Sequence, residues 1–119
     1  MSGGEDTLKA WHERRSEPRE PAHDPARLLR DGDVMDALIV DRSLKGLRLR
    51  LPQGAAVGAN MTMTALDLNR LMIHSVKVVW KAYPDIGVQV QSSFNVRTGE
   101  GPEAAAMRRL WSRASSPVG

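Results

Sequence analysis

The run Leu47-Arg48-Leu49-Arg50-Leu51 alternates strictly between apolar and charged residues. Period-two alternation places the leucines on one side and the arginines on the other, as in a strand with one buried face. The apolar residues around it also fall in short runs bounded by turn residues, too short for the continuous stripe of a core helix. The core therefore has to be a sheet. Six strands are predicted, roughly Arg27 to Leu29, Asp36 to Asp41, Leu47 to Leu51, Asn60 to Leu66, Leu71 to Trp80, and Ile86 to Gln91. Links as short as Asp67-Leu68-Asn69 and Tyr83-Pro84-Asp85 imply mainly antiparallel pairing. The expected class is all-β, closed as a small six-stranded barrel. Within Leu71 to Trp80 the apolar parity changes from Leu71 and Ile73 to Val76, Val78 and Trp80, which predicts a bulge or sharp bend near His74 and Ser75.

Both flanks read differently. The first 26 residues carry Gly3, Gly4, Pro18, Pro21 and Pro25 with few apolar side chains, which predicts a flexible start over 1–13 and an irregular arm over 14–26. Pro18 disfavours helix at Glu17, so Arg15 to Arg19 should be extended or turned. After the barrel, expected over 27–91, Pro102 opens a stretch of strong helix formers. Met107, Leu110, Trp111 and Ala114 share one face of a C-terminal α-helix over 102–114. That face either packs on the barrel or is offered to a partner. Residues 115–119 are expected to fray.

At 119 residues with 41% hydrophobic content, one folded domain is expected, spanning 14–114. The absence of cysteine excludes a disulfide framework, thiolate zinc, iron–sulfur ligation and a cysteine nucleophile. No apolar run approaches the roughly 18 residues of a membrane span, and the N-terminus lacks the order of a secretory signal. The expectation is a soluble, unexported, cytoplasmic protein without membrane insertion. Its formal charge of +3 is not a polybasic arm, because Lys9, Arg14, Arg15 and Arg19 are interleaved with Glu5, Asp6, Glu13, Glu17 and Glu20. Thirteen of the 17 basic residues are arginine, which suits planar, bidentate contacts to a small phosphorylated ligand.

Enzymatic signatures are missing. His12, His23 and His74 are scattered without metal-ligand spacing, and no cofactor is expected. Asp41, Ser43 and His74 have the residue types of a hydrolase triad, but Asp-Arg-Ser-Leu-Lys-Gly is not a nucleophile elbow. Neither phosphate-cradling glycine signature occurs.

Two local constellations remain. One is Arg14-Arg15-Ser16-Glu17-Pro18-Arg19, which by itself could be a solvated basic turn. The other is Asp41-Arg42-Ser43-Leu44-Lys45-Gly46, which by itself could be a well-made hairpin turn. Together, Arg15-x-x-x-Arg19 followed by Asp41-x-Ser43-x-x-Gly46 resembles the RxxxR and [D/N]xSxxG signature of the PilZ domain. Val78-Val79-Trp80 followed by Gly87-Val88-Gln89-Val90 resembles the family's last two barrel strands, and the C-terminal helix agrees. The resemblance runs from about Arg14 to Trp111. It departs from the pattern in the apolar-poor stretch from Glu20 to Asp33 and at Val90, where an aromatic is frequent.

The resemblance implies a bacterial receptor for cyclic di-GMP that signals to a further, unidentified protein. Residue chemistry fits that role. Arg15 and Arg19 can fork onto guanine O6 and N7, stack on the base or clamp a phosphate. Asp41 can accept from the guanine N–H groups, Ser43 offers a small donor and acceptor, and Gly46 permits close backbone approach. Arg14, directly before the RxxxR pair, is associated in similar proteins with two intercalated ligands per domain, and a third guanidinium would offset the repulsion of four phosphates. The ligand is expected to order the arm against the Asp41-to-Gly46 face. Two alternatives are an adaptor that works through protein contacts without nucleotide, and a barrel for single-stranded nucleic acid. The latter needs clustered stacking aromatics, whereas Trp11, Trp80, Tyr83, Phe94 and Trp111 are dispersed.

Overall fold

In the computed structural model, which describes residues 19–116, Leu47 and Leu49 turn inward and Arg48 and Arg50 outward, as their alternation requires. They lie on β3 (Gly46–Arg50), one of six strands with β1 (Glu20–Arg30), β2 (Asp33–Arg42), β4 (Thr62–Asp67), β5 (Met72–Ala82) and β6 (Asp85–Asn95). Every pairing is antiparallel, and the order β1-β2-β3-β6-β5-β4 closes into a barrel. Closure removes both sheet edges and encloses a core of apolar side chains, among them Leu28, Ile39, Leu49, Val76, Val78 and Ile86.

The arm boundary needs correction. Residues 20–26 are the first part of β1, so the barrel runs over 20–95 rather than 27–91. Pro21 and Pro25 are tolerated because β1 pairs with β4 only from Ala26 to Leu29. Pro25 turns its carbonyl to the Leu68 N–H at 3.1 Å, on the side where its ring nitrogen has no strand partner to satisfy. The expected irregularity in β5 is present. A register shift does fall between Ser75 and Val76, but the unpaired residue is Gln91 of β6, and a second shift isolates Val79. The parity change in β5 arises because its two faces meet different cores. Val76 and Val78 face the barrel interior, while Ile73 joins Leu66 and Phe94 in a second cluster on the outside.

The helix covers that second cluster. α1 (Ala104–Ala114) buries Ala114 and packs Met107, Leu110 and Trp111 on Leu66, Ile73 and Phe94, so this apolar face belongs to the barrel and not to a partner. Arg108 lies 5.5 Å from the Phe94 ring centre and donates to the Val96 and Gly99 carbonyls. Arg27 donates to the Ala114 carbonyl at 2.8 Å and to that of Ser116, so the first residues of the expected frayed tail are held at the helix end. Among the described residues no helix is long and apolar enough to cross a membrane.

Candidate functional site

A bulge at Val40 sets the site. Ile39 pairs with Leu49 and Asp41 with Arg48, so Val40 has no partner on β3 and the strand's inside and outside exchange at that point. Asp41 is thereby brought to the outer surface beside Arg48. Arg19, immediately before β1, donates from Nη1 to Asp41 Oδ1 at 3.1 Å, and Arg48 Nη1 lies 4.0 Å from Asp41 Oδ2. Arg48 Nη2 is also 2.6 Å from Asp85 Oδ2, and Arg50 grips the same carboxylate through Nε at 2.8 Å and Nη2 at 3.2 Å. The row Arg19–Asp41–Arg48–Asp85–Arg50 therefore alternates in sign across the outer face. Next to it, the Trp80 indole lies flat on Gly87, where a Cβ would come within 2.0 Å of Trp80 Nε1. Two half-exposed guanidiniums, Arg19 and Arg48, thus border the Asp41 carboxylate.

The turn from β2 to β3 supplies the rest. Ser43 N–H donates to the Gly46 carbonyl at 3.0 Å, and its hydroxyl lies 3.4 Å from the same oxygen. A Cβ on Gly46 would sit 2.8 Å from the Val88 carbonyl, so only glycine lets β3 approach β6 this closely here. Leu44 stands out at 85% exposure above a depression of about 410 Å³ whose lining includes Ser43, His74, Val90 and Ser93.

The fold brings together four of the six residues picked out from the sequence: Arg19, Asp41, Ser43 and Gly46. Arg14 and Arg15 lie outside the described residues. The PilZ domain model matches residues 13–102, most of the chain and all of both motifs. The chain belongs to the PilZ domain family. No curated protein matches it. PilZ domains are cyclic di-GMP receptor and adaptor domains rather than enzymes, and the described residues contain no cluster of side chains able to hold a metal ion.

Inside this PilZ barrel, behind Asp41, lies a group that sequence reasoning missed. Arg42 is only 6% exposed; its Nη1 donates to Asp67 Oδ2 and its Nη2 to Asp24 Oδ2, both at 2.5 Å. Burial alone would lower the Arg42 pKa, but the two carboxylates carry it above the usual arginine range. The Arg42 hydrogen bond holds Asp24 below the ordinary carboxylate range, as the Arg50 hydrogen bond does for Asp85. Arg48 was missed as well, since only the strand register sets it opposite Asp41.

These shifts fix the sign of a pH dependence. Burial pushes the His74 pKa down, so the fold favours neutral imidazole; His74 Nδ1 is 2.7 Å from Ser93 Oγ. Its contribution is complete above about pH 6.5 and is lost as the pH falls through the lowered value. Asp24 and Asp85 contribute above about pH 4 and lose that contribution as the pH falls through their lowered values. Thermal denaturation between pH 8 and pH 3 should show a midpoint that falls in two stages, with the upper stage absent in His74→Gln. A midpoint that rises on acidification would contradict both assignments.

Proposed function

We propose that this protein is a cyclic di-GMP receptor that relays ligand occupancy to a protein partner in the bacterial cytoplasm. The observation that carries this reading is the 3.1 Å bond between Arg19 and Asp41, which joins the two motif halves on one outer surface although 22 positions separate them. Asp41 is an acceptor for guanine N–H groups, while Arg19 supplies a fork for guanine or phosphate. On binding, Arg19 exchanges its bond to Asp41 for the ligand, and the freed carboxylate turns to the base. Residues 20–26 already form strand, so they are not part of what the ligand orders. The partner then reads the changed face around Asp41 and Leu44.

Calorimetric titration with cyclic di-GMP is the direct test. Saturation near two ligands per chain is expected, falling towards one in Arg14→Ala. An endpoint of one ligand that Arg14→Ala leaves unchanged would reject that role for Arg14 while leaving the receptor reading intact. No heat of binding would favour the adaptor without nucleotide. Displacement of cyclic di-GMP by unrelated oligonucleotide would favour a nucleic-acid barrel.

A further inference from the structure

The approach of Arg19 to Asp41 depends on where β1 begins, and the ladder there is irregular. Pro21 offers no N–H, and Ala22 and His23 both stand opposite the single residue Val40 in an irregular stretch between Pro21 and Asp24. β4 gives no ladder support before Ala26. Side chains take over. Glu20 accepts from Arg70 Nη2 at 2.8 Å on the surface, and Asp24, just past the irregular stretch, accepts from buried Arg42 at 2.5 Å.

The way Arg42 binds is informative. Arg50 grips one carboxylate side-on through Nε and Nη2, the arrangement that gives a single pair its best geometry. Arg42 instead spends its two terminal nitrogens on two carboxylates from different strands, Asp24 of β1 and Asp67 of β4, and leaves Nε buried without a partner. An unpaired buried N–H lowers stability. That arrangement is poor for stabilising one pair and well suited to spanning two strands. Asp67 is fixed independently, since its Oδ1 accepts the backbone N–H groups of Asn69 and Arg70 at 3.1 and 2.9 Å. Arg42 therefore reaches from a fixed point to the irregular start of β1.

Resting on the receptor reading above, we infer that Asp24 and Arg42 are positioning residues for the ligand site: their bond holds the first residues of β1 where Arg19 meets Asp41, although both side chains point into the barrel. The position of Arg42 makes the coupling direct, because it is the last residue of β2, directly after Asp41 and before Ser43 of the turn. Tying its side chain inward keeps its neighbour Asp41 outward.

Asp24→Asn tests this, since it leaves Arg42 paired with Asp67 and reduces its charge-assisted bond to β1 to that of a neutral acceptor, which loosens the hold on β1. The variant should remain folded, with faster amide exchange over residues 19–23 and an affinity for cyclic di-GMP lowered about tenfold, in the range for groups that share one network. Asp24→Glu should recover part of the affinity. In an Arg19→Ala background the effect of Asp24→Asn on binding should nearly vanish, which a purely structural role does not produce. Exchange at 19–23 unchanged from wild type overturns the inference, as does an equal loss of affinity with and without Arg19. If wild type binds no cyclic di-GMP, the receptor reading fails, and the exchange comparison alone decides whether Asp24 holds β1.

Discussion

Arg19→Ala is expected to weaken cyclic di-GMP binding by roughly ten- to a hundredfold. A hydrogen bond to a charged group contributes roughly 1.5 to 3 kcal/mol, and each 1.4 kcal/mol is about a factor of ten in affinity. Arg19 is 41% exposed at its side chain and among the described residues makes one bond, to Asp41, so its removal leaves no buried group of the barrel unsatisfied and the barrel should stay intact. The loss would then read as recognition and not as unfolding. Arg19→Lys should recover only a small part, because an ammonium keeps the charge without the planar fork. Asp41→Ala should also weaken binding while the far-UV spectrum stays β-rich; collapse of the fold in that variant would instead assign Asp41 a structural place in the β2–β3 turn. Wild-type affinity in Arg19→Ala would sink the site assignment. Binding of cyclic di-GMP measured by calorimetry, alongside far-UV circular dichroism on the same samples, separates these outcomes.

The second large effect is on stability. Asp67 is 1% exposed, pairs with buried Arg42, and closes the β4–β5 turn by accepting two backbone N–H groups. Removing one partner of a buried ion pair costs roughly 3 to 5 kcal/mol; Asp24 still offsets part of the Arg42 charge, but the two turn N–H groups lose their acceptor as well. A domain of this size has a net stability of about 5 to 15 kcal/mol, so Asp67→Ala should take away a large fraction of it. The thermal midpoint should fall by more than about 10 °C, since roughly 1 kcal/mol moves a small domain by several degrees. Asp67→Asn should lose less, because the amide oxygen still accepts from Asn69 and Arg70. Asp36→Ala is the contrasting case: Asp36 pairs with Arg27 at 3.0 Å but is 77% exposed at its side chain, and surface pairs of this kind contribute little. Equal midpoints for Asp67→Ala and Asp36→Ala in thermal denaturation would show that the buried pair does not carry this stability.

How much of this was legible beforehand differs from residue to residue. The leucines of β3 could be placed inside from five consecutive letters, because a strand with one wet face imposes period two on its own sequence. Ser43 and Gly46 were legible for a similar reason, since a tight turn is built from neighbours and leaves its mark on adjacent residue types. The start of β1 was not legible. Pro21 and Pro25 argue against a strand in any local reading, and they are admitted only because β4 stops short of them.

The chain's own letters thus determined the class of fold, the strand-turn-strand that carries Asp41, Ser43 and Gly46, and the apolar face of the helix, all of which depend on residues within a few positions of one another. Tertiary structure alone decided which way Asp41 and Arg42 point. Strict alternation from Ala37 and Ile39 would send Asp41 inward and Arg42 out, whereas the bulge at Val40 reverses both. An arginine can then lie inside only because Asp24 and Asp67 arrive from two other strands to neutralise and hydrogen-bond it. Those carboxylates are 18 and 25 positions away, a separation at which no local periodicity survives and only the closure of the barrel brings the charges together.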